Sequence, residues 1–254
     1  MSMPTPALGC DLGEGEDPAL TARLMARLDA VHIACGGHAG DMASMAVCLE
    51  LARAHGVRVG AHPGWPDPKG FGRHPALAPD PAIWPALLRD QVRALQSLTQ
   101  GAGVRLHHVK LHGAWYHATD SDDALAVAHV RAVADLDPGL VIVARAGGRV
   151  AAMARAQGQP VWEEAFLDRG YCDDGTLVPR DEPGALLEDP ALAVRRLREL
   201  LARGGWPGRG GAWIPLRARI LCVHADSPGA LALLEAAREE LRRSRTPRPS
   251  GTPV

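Results

Sequence analysis

The stretch VHIACGGHAGD, Val31–Asp41, joins an apolar run to a segment whose apolar residues recur at helical spacing. The apolar run predicts a buried strand, and Gly36 and Gly37 predict the turn that ends it, because glycine permits sharp bends and close backbone approach. Asp41 is suited to begin the following helix. A turn does not require an imidazole, so His38 is a candidate site residue at the carboxyl end of this strand.

The same order, an apolar strand followed by a turn and a helix, recurs along the chain. Alternating strands and helices predict a parallel α/β architecture, and 254 residues suit one domain. We predict that domain over residues 1–243 and a disordered, proline-rich and basic tail over 244–254. The predicted strands are Ala7–Cys10, Val31–Cys35, Val57–Ala61, Leu106–Leu111, Leu140–Ala144, Val161–Phe166 and Ile220–Val223. The predicted helices are Pro18–Leu28, Asp41–Ala54, Pro79–Gln100, Ser121–Asp135, Gly148–Gln157, Asp189–Arg203 and Pro228–Arg242, and Gly204–Gly211 is predicted to be a flexible connection.

Composition narrows the function classes. The 28 Lys and Arg residues nearly balance 29 Asp and Glu residues, so the charge indicates neither a nucleic-acid nor a membrane partner, and a small-molecule substrate is expected. The five cysteines include no C-x-x-C pair, which favours reduced thiols and a cytoplasmic location. The first residues lack the basic and then apolar pattern of an export signal.

Ionisable residues follow six of the seven predicted strands. A single histidine at a strand end is often only a turn residue. Parallel strands, however, bring all their carboxyl ends to one side, where residues distant in sequence form a common site. The candidates are Asp11, Glu14, His38, Asp41, His62, Lys110, His112, Asp168, Arg169, His224 and Asp226.

Strand periodicity separates these residues from their neighbours, because successive side chains point to opposite faces. His108, Lys110 and His112 are predicted to share the inner face, and Cys222 is predicted to lie below His224.

The remaining histidines are assigned mainly to structural positions. His107 is predicted to be structural, and His55 and His129 are predicted to lie on helix surfaces. His32, inside a strand, is compatible with either the site or the core. The helical stripe predicted to face the core is Met42, Met45, Leu49 and Ala52.

Other chemistries are less favoured by the pattern. One Asp and two His form a common ligand set, and Asp11, His38 and His62 are the candidates if a metal is bound. No H-E-x-x-H or H-x-x-E-H motif occurs, so the expectation is no metal. The absence of G-x-S-x-G argues against a serine hydrolase. Cys35 lies in an apolar strand, which favours a neutral buried thiol over a nucleophile.

An ordered set of motifs resembles the LamB/YcsF family, also known as the A subunit of 5-oxoprolinase. The resemblance implies an irregular (β/α) barrel of about seven parallel strands, similar to those of glycoside hydrolases and polysaccharide deacetylases. The matching motifs are CDLGEG (Cys10–Gly15), IACGGHAGD (Ile33–Asp41), VGAHPGWPDPKGFGR (Val59–Arg73), VRLHHVKLHGAWY (Val104–Tyr116), the DR of FLDRGY (Phe166–Tyr171), DGTLVPRDEPGALL (Asp174–Leu187) and LCVHAD (Leu221–Asp226).

The resemblance also implies a function: opening of the lactam 5-oxo-L-proline to L-glutamate with ATP, Mg²⁺ and separate B and C subunits. No Walker A loop occurs, so the nucleotide would bind through another geometry or at a partner. Two alternatives remain open, a stand-alone metal-dependent amidase or deacetylase and a noncatalytic substrate-binding subunit. The expected roles are phosphate binding by Lys110 and Arg180, general base catalysis by Asp11 or Glu14, proton transfer by His38, His112 or His224, and substrate or phosphate binding by His62, Asp168, Arg169 and Asp226.

Two departures from the family pattern lie in the opening stretch. The family usually has Asn at His32 and Phe at Gly37. Replacing a phenyl ring with hydrogen predicts empty space beside His38, and it leaves open whether that space admits a different lactam.

Overall fold

Seven parallel strands form the frame of the molecule. The computed structural model describes residues 4–74 and 83–245. Its strands are β1 (Ala7–Leu12), β2 (Ala30–Ala34), β3 (Arg58–His62), β4 (Leu106–Lys110), β5 (Val141–Arg145), β6 (Val161–Phe166), β7 (Gly205–Pro207), β8 (Trp213–Pro215) and β9 (Ile220–Cys222). Strands β1 to β6 and β9 close into a barrel in that order. The predicted irregular barrel and its seven strands are confirmed, with ends that differ by about one or two residues.

Strand β9 closes the barrel. Cys222 is in register with Gly9 of β1 on one side and with Phe166 of β6 on the other. All barrel pairings are parallel. The carboxyl ends of the seven strands therefore lie at one rim, which is where the sequence placed its candidates.

Helices cover the outside of the barrel. The short helix α4, directly after β4, was not predicted from the sequence; it buries Trp115, Tyr116 and Thr119. The predicted start of the third helix, at Pro79, lies outside the described residues. The helices are α1 (Pro18–Met25), α2 (Met42–His55), α3 (Trp84–Gly101), α4 (Gly113–Ser121), α5 (Asp123–Leu136), α6 (Arg149–Ala156), α7 (Pro190–Arg203) and α8 (Ala230–Arg245).

Local capping chemistry sets the helix starts. The carboxylate of Asp41 accepts a hydrogen bond from the Ser44 amide at 2.8 Å, and the Ser44 hydroxyl accepts one from the Asp41 amide at 2.8 Å. This reciprocal capping box begins α2 where the sequence predicted it. Helix α5 is capped by Asp122, whose carboxylate accepts from the Leu125 amide at 2.9 Å.

Two burial predictions were wrong. Met42 is 52% exposed because it is the first residue of α2, whereas Met45 and Leu49 farther along are buried. His129 is buried because it lies on the face of α5 that packs against the neighbouring helices, with its ring 6.2 Å from that of Trp84 in α3. Neither ring nitrogen of His129 has a hydrogen-bond partner among the described residues. Burial accordingly lowers its pKa to about 3, which keeps the ring neutral.

The segment predicted as a flexible connection instead contains part of a hairpin, so that prediction was wrong. Strands β7 and β8 pair antiparallel, and Gly205 lies so close to the Ile214 carbonyl that a β-carbon at this position would overlap it. Trp206 is fully buried, with its ring 5.5 Å from that of Tyr171. Glycine thus permits the strand pairing here and does not indicate flexibility.

The C-terminal helix extends beyond the predicted end of the domain. Ser244 and Arg245 belong to α8, and the rest of the predicted tail, residues 246–254, lies outside the described residues. Within 4–74 and 83–245, no helix combines the length and apolarity that a membrane crossing needs.

Candidate active site

A cavity of about 530 Å³ opens at the carboxyl ends of the strands. Some of the predicted site residues line this cavity, and others contact the residues that line it. Glu14 and His38 adjoin it through contacts with His62, and Asp168 and Asp226 contact residues of its wall. Seven predicted residues line it: Asp11, His62, Lys110, His112, Arg169, Arg180 and His224.

A lysine cluster, made of Asp11, Lys110, Glu164 and Cys222, forms the floor of the site. The Lys110 ammonium lies 2.7 Å from Asp11 Oδ1, 3.2 Å from Glu164 Oε1 and 3.3 Å from Cys222 Sγ. Burial lowers the pKa of Lys110, but the facing Asp11 carboxylate, Cys222 and Glu164 outweigh it and hold that pKa well above its ordinary value. The ammonium form is therefore favoured, and it is already paired within the chain.

Sequence reasoning missed Glu164. Its side chain is fully buried, and the Tyr116 hydroxyl donates a hydrogen bond to its second carboxylate oxygen at 3.2 Å. Burial raises the pKa of Glu164, with Lys110 opposing the shift. An acidic residue in the otherwise apolar end of β6 was the available signal, because strand alternation places it on the same face as Phe166.

Below the lysine cluster lie His32 and His108. Nδ1 of His32 and Nε2 of His108 are 2.8 Å apart, and both side chains are fully buried. His107 is partly exposed, as strand alternation predicts. The structure thus places His32 in the barrel interior rather than on the cavity wall.

Next to the lysine cluster, three imidazoles surround one carboxylate oxygen, Glu14 Oε1. His38 Nε2 lies 2.8 Å from this oxygen, His112 Nδ1 3.4 Å and His62 Nε2 3.6 Å. The rings of His38 and His112 are stacked, with centroids 3.6 Å apart and planes 3° from parallel. Asp41 caps α2, as expected, and His38 is held by Glu14.

Asp168 holds His224 in place. Its Oδ2 accepts hydrogen bonds from the backbone amide and Nδ1 of His224, at 3.0 and 2.9 Å, and from the Ser227 hydroxyl at 2.5 Å. Burial lowers the pKa of His224, but the Asp168 charge and hydrogen bond outweigh it and raise that pKa above its ordinary value. Asp168 is fully buried. It therefore positions His224, and substrate or phosphate binding by Asp168 stays a prediction.

Two arginines line the cavity and share one acidic partner. Arg180 donates to both carboxylate oxygens of Asp226 at 2.8 and 2.9 Å, and Arg73 donates to Oδ2 at 2.8 Å. From the sequence, Arg73 was noted only as the last residue of the matching motif Val59–Arg73. Asp226 is thus an arginine partner, and the three groups together carry one net positive charge at neutral pH.

Arg169 supports the segment that carries Arg180. Its guanidinium donates to the carbonyls of Val178 at 2.8 Å and Ala185 at 3.1 Å. These bonds use two of its donors inside the protein. These bonds fix the cavity wall, and because Arg169 itself lines the cavity, substrate or phosphate binding by it stays a prediction.

Tyr116 and His117, from the helix α4 that was not predicted, also line the cavity.

Cys35 is not among the residues that line the cavity. It is buried, and burial raises the pKa of its thiol to about 12, as expected for a neutral packed side chain.

Gly37 does not leave empty space, so that prediction was wrong. A β-carbon built on it would overlap the Gly64 carbonyl and the Gln91 amide. Gln91 bridges both backbone groups of Gly64, accepting at 3.1 Å and donating at 2.8 Å. The volume next to His38 is therefore occupied by another part of the chain, and it gives no argument for a different substrate.

Two groups of side chains among the described residues have metal-ligand spacing. Glu14, His38, His62 and His112 form the first, and Asp11, His32 and Cys222 form the second. The set expected from sequence, Asp11 with His38 and His62, is divided between them.

Comparisons with known proteins agree on one family. The model of the LamB/YcsF family matches residues 7–249. The protein named as the A subunit of 5-oxoprolinase in Heliobacterium modesticaldum is 44% identical over 237 residues, covering 92% of this chain and 93% of that protein. The crystal structure of the lactam utilization protein from Thermus thermophilus has a TM-score of 0.87 at 35% identity, covering 95% and 97% of the two chains.

A more distant structural match shows the fold alone. A GH20 catalytic module of the pneumococcal exo-β-D-N-acetylglucosaminidase has a TM-score of 0.52 at 10% identity, covering 92% of this chain and 83% of that one. The barrel is thus shared with a glycoside hydrolase.

Proposed function

This chain belongs to the LamB/YcsF family, and we propose that it is the A subunit of a 5-oxoprolinase. The reaction is the opening of 5-oxo-L-proline to L-glutamate, with ATP and Mg²⁺ as cosubstrate and with B and C subunits as partners. The relatives that carry the subunit name support this assignment. We propose a cytoplasmic location, where ATP is available.

The cavity contains the two kinds of group that this reaction needs. Arg73 and Arg180 line it as anion-binding groups, and His224 lines it as an acid or base. This combination is the observation that carries the proposal at the level of the site. Two arginines that already converge on a carboxylate also suit the carboxylate of 5-oxoproline or a phosphoryl oxygen.

The need for ATP follows from the substrate. A lactam amide is a poor electrophile, and ATP supplies a phosphoryl group that activates its carbonyl. Water then adds to the carbonyl carbon, the ring C–N bond breaks as nitrogen takes a proton, and a second water hydrolyses the acyl phosphate to glutamate and phosphate. The sequence has no Walker A loop. The nucleotide therefore binds through the cavity arginines or at one of the partner proteins.

His224 is the acid that we assign to the leaving nitrogen. Its Nδ1–H is donated to Asp168, and its Nε2 lies 3.9 Å from Asp11 Oδ2. The raised pKa of His224 keeps a larger protonated fraction near neutral pH, which suits proton donation.

Asp11 is the base that we assign to the attacking water. Its Oδ1 is held by Lys110 at 2.7 Å, while Oδ2 faces the ring nitrogens of His62 and His224. Lys110 thus fixes one oxygen and leaves the other to accept a proton. In this role Lys110 is a positioning residue, in place of the phosphate ligand expected from sequence.

Glutamate release from 5-oxoproline tests the proposal, with the chain, its B and C partners and ATP in one mixture. We expect release only when all components are present. His224→Gln is expected to lower kcat by about 10²- to 10⁴-fold, the usual contribution of a general acid. His55→Asn is the control, because this exposed histidine lies at the end of α2. Release by the chain alone without ATP, or an unchanged rate in His224→Gln, would contradict the proposal.

A further inference from the structure

Three proton acceptors face one another beside the cavity, and we call them the acceptor triangle: Glu14 Oε1, His62 Nε2 and His112 Nδ1. The two ring nitrogens are 3.0 Å apart, and the oxygen lies 3.6 Å from the first and 3.4 Å from the second. His62 is 1% exposed, His112 4% and the Glu14 side chain 7%.

The hydrogen bonds on the far sides of the rings fix the tautomers. His62 Nδ1 lies 2.8 Å from the Lys110 carbonyl, and His112 Nε2 lies 2.9 Å from the Phe71 carbonyl. A carbonyl oxygen only accepts, so each of these nitrogens carries a hydrogen. In the neutral rings, His62 Nε2 and His112 Nδ1 therefore both present lone pairs, 3.0 Å apart and next to a carboxylate.

Such an arrangement favours a cation between the three atoms, either a proton or a metal ion, because the two ring nitrogens face each other as acceptors, while Glu14 Oε1 has His38 Nε2 as one partner and lone pairs to spare. Buried acceptors that lack a donor are costly. Ring N–H groups donated to backbone carbonyls are also the usual outer contacts of metal-ligating histidines, because they fix the tautomer and aim the other nitrogen at the metal.

The dimensions of the triangle fit a transition metal. Its sides of 3.0, 3.4 and 3.6 Å compare with about 3.3 Å between ligand atoms in a tetrahedral site with bonds of about 2.0 to 2.1 Å. The planes of the two rings are 86° apart, so both lone pairs can point to one position. His62 and His112 line the cavity, which leaves the fourth position accessible from it.

Neighbouring groups fit less well as ligands. The His38 ring is parallel to that of His112 with centroids 3.6 Å apart, so no point lies in the planes of both rings. We therefore assign His38 to holding Glu14. The second group, around Asp11 and Cys222, is already neutralised by the Lys110 ammonium.

We propose that His62 Nε2, His112 Nδ1 and Glu14 Oε1 bind one divalent transition-metal ion, with Zn²⁺ as the ion of first choice. Two histidines, one glutamate and an open position form a known catalytic zinc arrangement. An ion held there would polarise a carbonyl or activate water in the cavity. The site is a property of the isolated chain and does not rest on the proposed lactam reaction.

Metal content and metal-linked stability test the site without an activity assay. The untagged chain is purified with Zn²⁺ in the growth medium, and bound zinc is measured by mass spectrometry. Chelator-treated protein is then titrated with Zn²⁺ or Co²⁺ while its Tm and visible absorption are recorded. We expect about one equivalent per chain, a Tm that falls on chelation and recovers with Zn²⁺, and tetrahedral Co²⁺ absorption.

Single-ligand variants then localise the ion. We expect His62→Gln and His112→Gln to weaken Zn²⁺ binding by at least about 100-fold, because outer-contact changes alone cost about 10- to 100-fold. His55→Asn is the matched control and should retain full occupancy. Circular dichroism of each variant without metal establishes that it is folded.

Two results would overturn the proposal. Folded wild-type chain that takes up less than about a tenth of an equivalent, with no change in Tm at excess Zn²⁺, would leave a proton as the cation in the triangle. Full occupancy in folded His62→Gln and His112→Gln would place any bound metal elsewhere. Neither result depends on glutamate release, so each is distinguishable from failure of the proposed function.

Discussion

The lysine cluster and the acceptor triangle lie side by side, but they balance their charges differently. In the lysine cluster, the Lys110 ammonium lies 2.7 Å from Asp11 and 3.2 Å from Glu164. In the acceptor triangle, the closest pair is two ring nitrogens 3.0 Å apart, both with their hydrogens on the far side. The first region contains its cation within the chain, whereas the proposed metal site takes one from solution.

This difference separates structural from chemical roles among similar buried residues. A buried ion pair that is complete holds its members in fixed positions. A set of converging acceptors is complete only with a ligand, and such sets are typical of functional sites. Asp11 belongs to both environments, because Oδ1 contacts Lys110 while Oδ2 lies 3.3 Å from His62 Nε2.

Removing the built-in cation should have the largest effect on stability. Lys110→Met keeps the approximate length of the side chain and leaves two buried carboxylates facing each other. We expect the free energy of unfolding to fall by about 3–5 kcal/mol, the usual cost of breaking a buried pair. Urea unfolding followed by circular dichroism measures it.

A second substitution in the lysine cluster should restore part of this loss. Glu164→Gln in the Lys110→Met background removes one of the two unpaired charges. Lys69→Met, at an exposed position, is the control for loss of a lysine. If Lys110→Met and Lys69→Met are equally stable, the lysine cluster does not contribute to folding as we infer.

The sequence predicted the barrel strands that position the lysine cluster and the acceptor triangle. Apolar runs identified the seven barrel strands, and the topology of parallel strands brought Asp11, His62, Lys110, His112 and His224 to one rim. These predictions succeeded because strand periodicity and chain direction are local properties that a barrel converts into proximity.

The partners within the site could not be predicted from sequence. Which oxygen of Asp11 faces Lys110, or which nitrogen of His112 carries hydrogen, depends on distant backbone carbonyls and on barrel closure. The error at Gly37 has the same origin, because its neighbour Gln91 comes from α3, 54 positions along the chain. Residue type indicates what chemistry is available, while tertiary contacts decide how it is used.

Crowding at Gly37 should affect the acceptor triangle more than the lysine cluster. Gly37→Ala forces a methyl group against the Gly64 carbonyl, and Gly64 in turn lies against the His38 ring. We expect a loss of about 1–3 kcal/mol in the free energy of unfolding, as for other overpacked positions, together with weaker Zn²⁺ binding. Gly101→Ala, which would meet no neighbouring atom, is the control and should be neutral. Equal stability of the two variants would mean that the Gly37 position has room for a side chain.

His224 adjoins the lysine cluster, with its Nε2 3.9 Å from Asp11 Oδ2, and its titration should give the smallest and most specific effect. Because its folded pKa is raised above 6.5, its protonation stabilises the fold below about pH 6.5, and this contribution is lost as pH rises through the folded pKa. Asp168→Asn removes the charge that raises the pKa, so burial should prevail and lower it, with each unit worth about 1.4 kcal/mol. Histidine resonances followed by NMR measure the pKa, and the stability advantage of wild type over Asp168→Asn should fall above pH 6.5. Ser227→Ala removes one hydrogen bond to Asp168 but keeps the charge, so it should move the His224 pKa less. An unchanged pKa in Asp168→Asn would show that this carboxylate does not control the proton on His224.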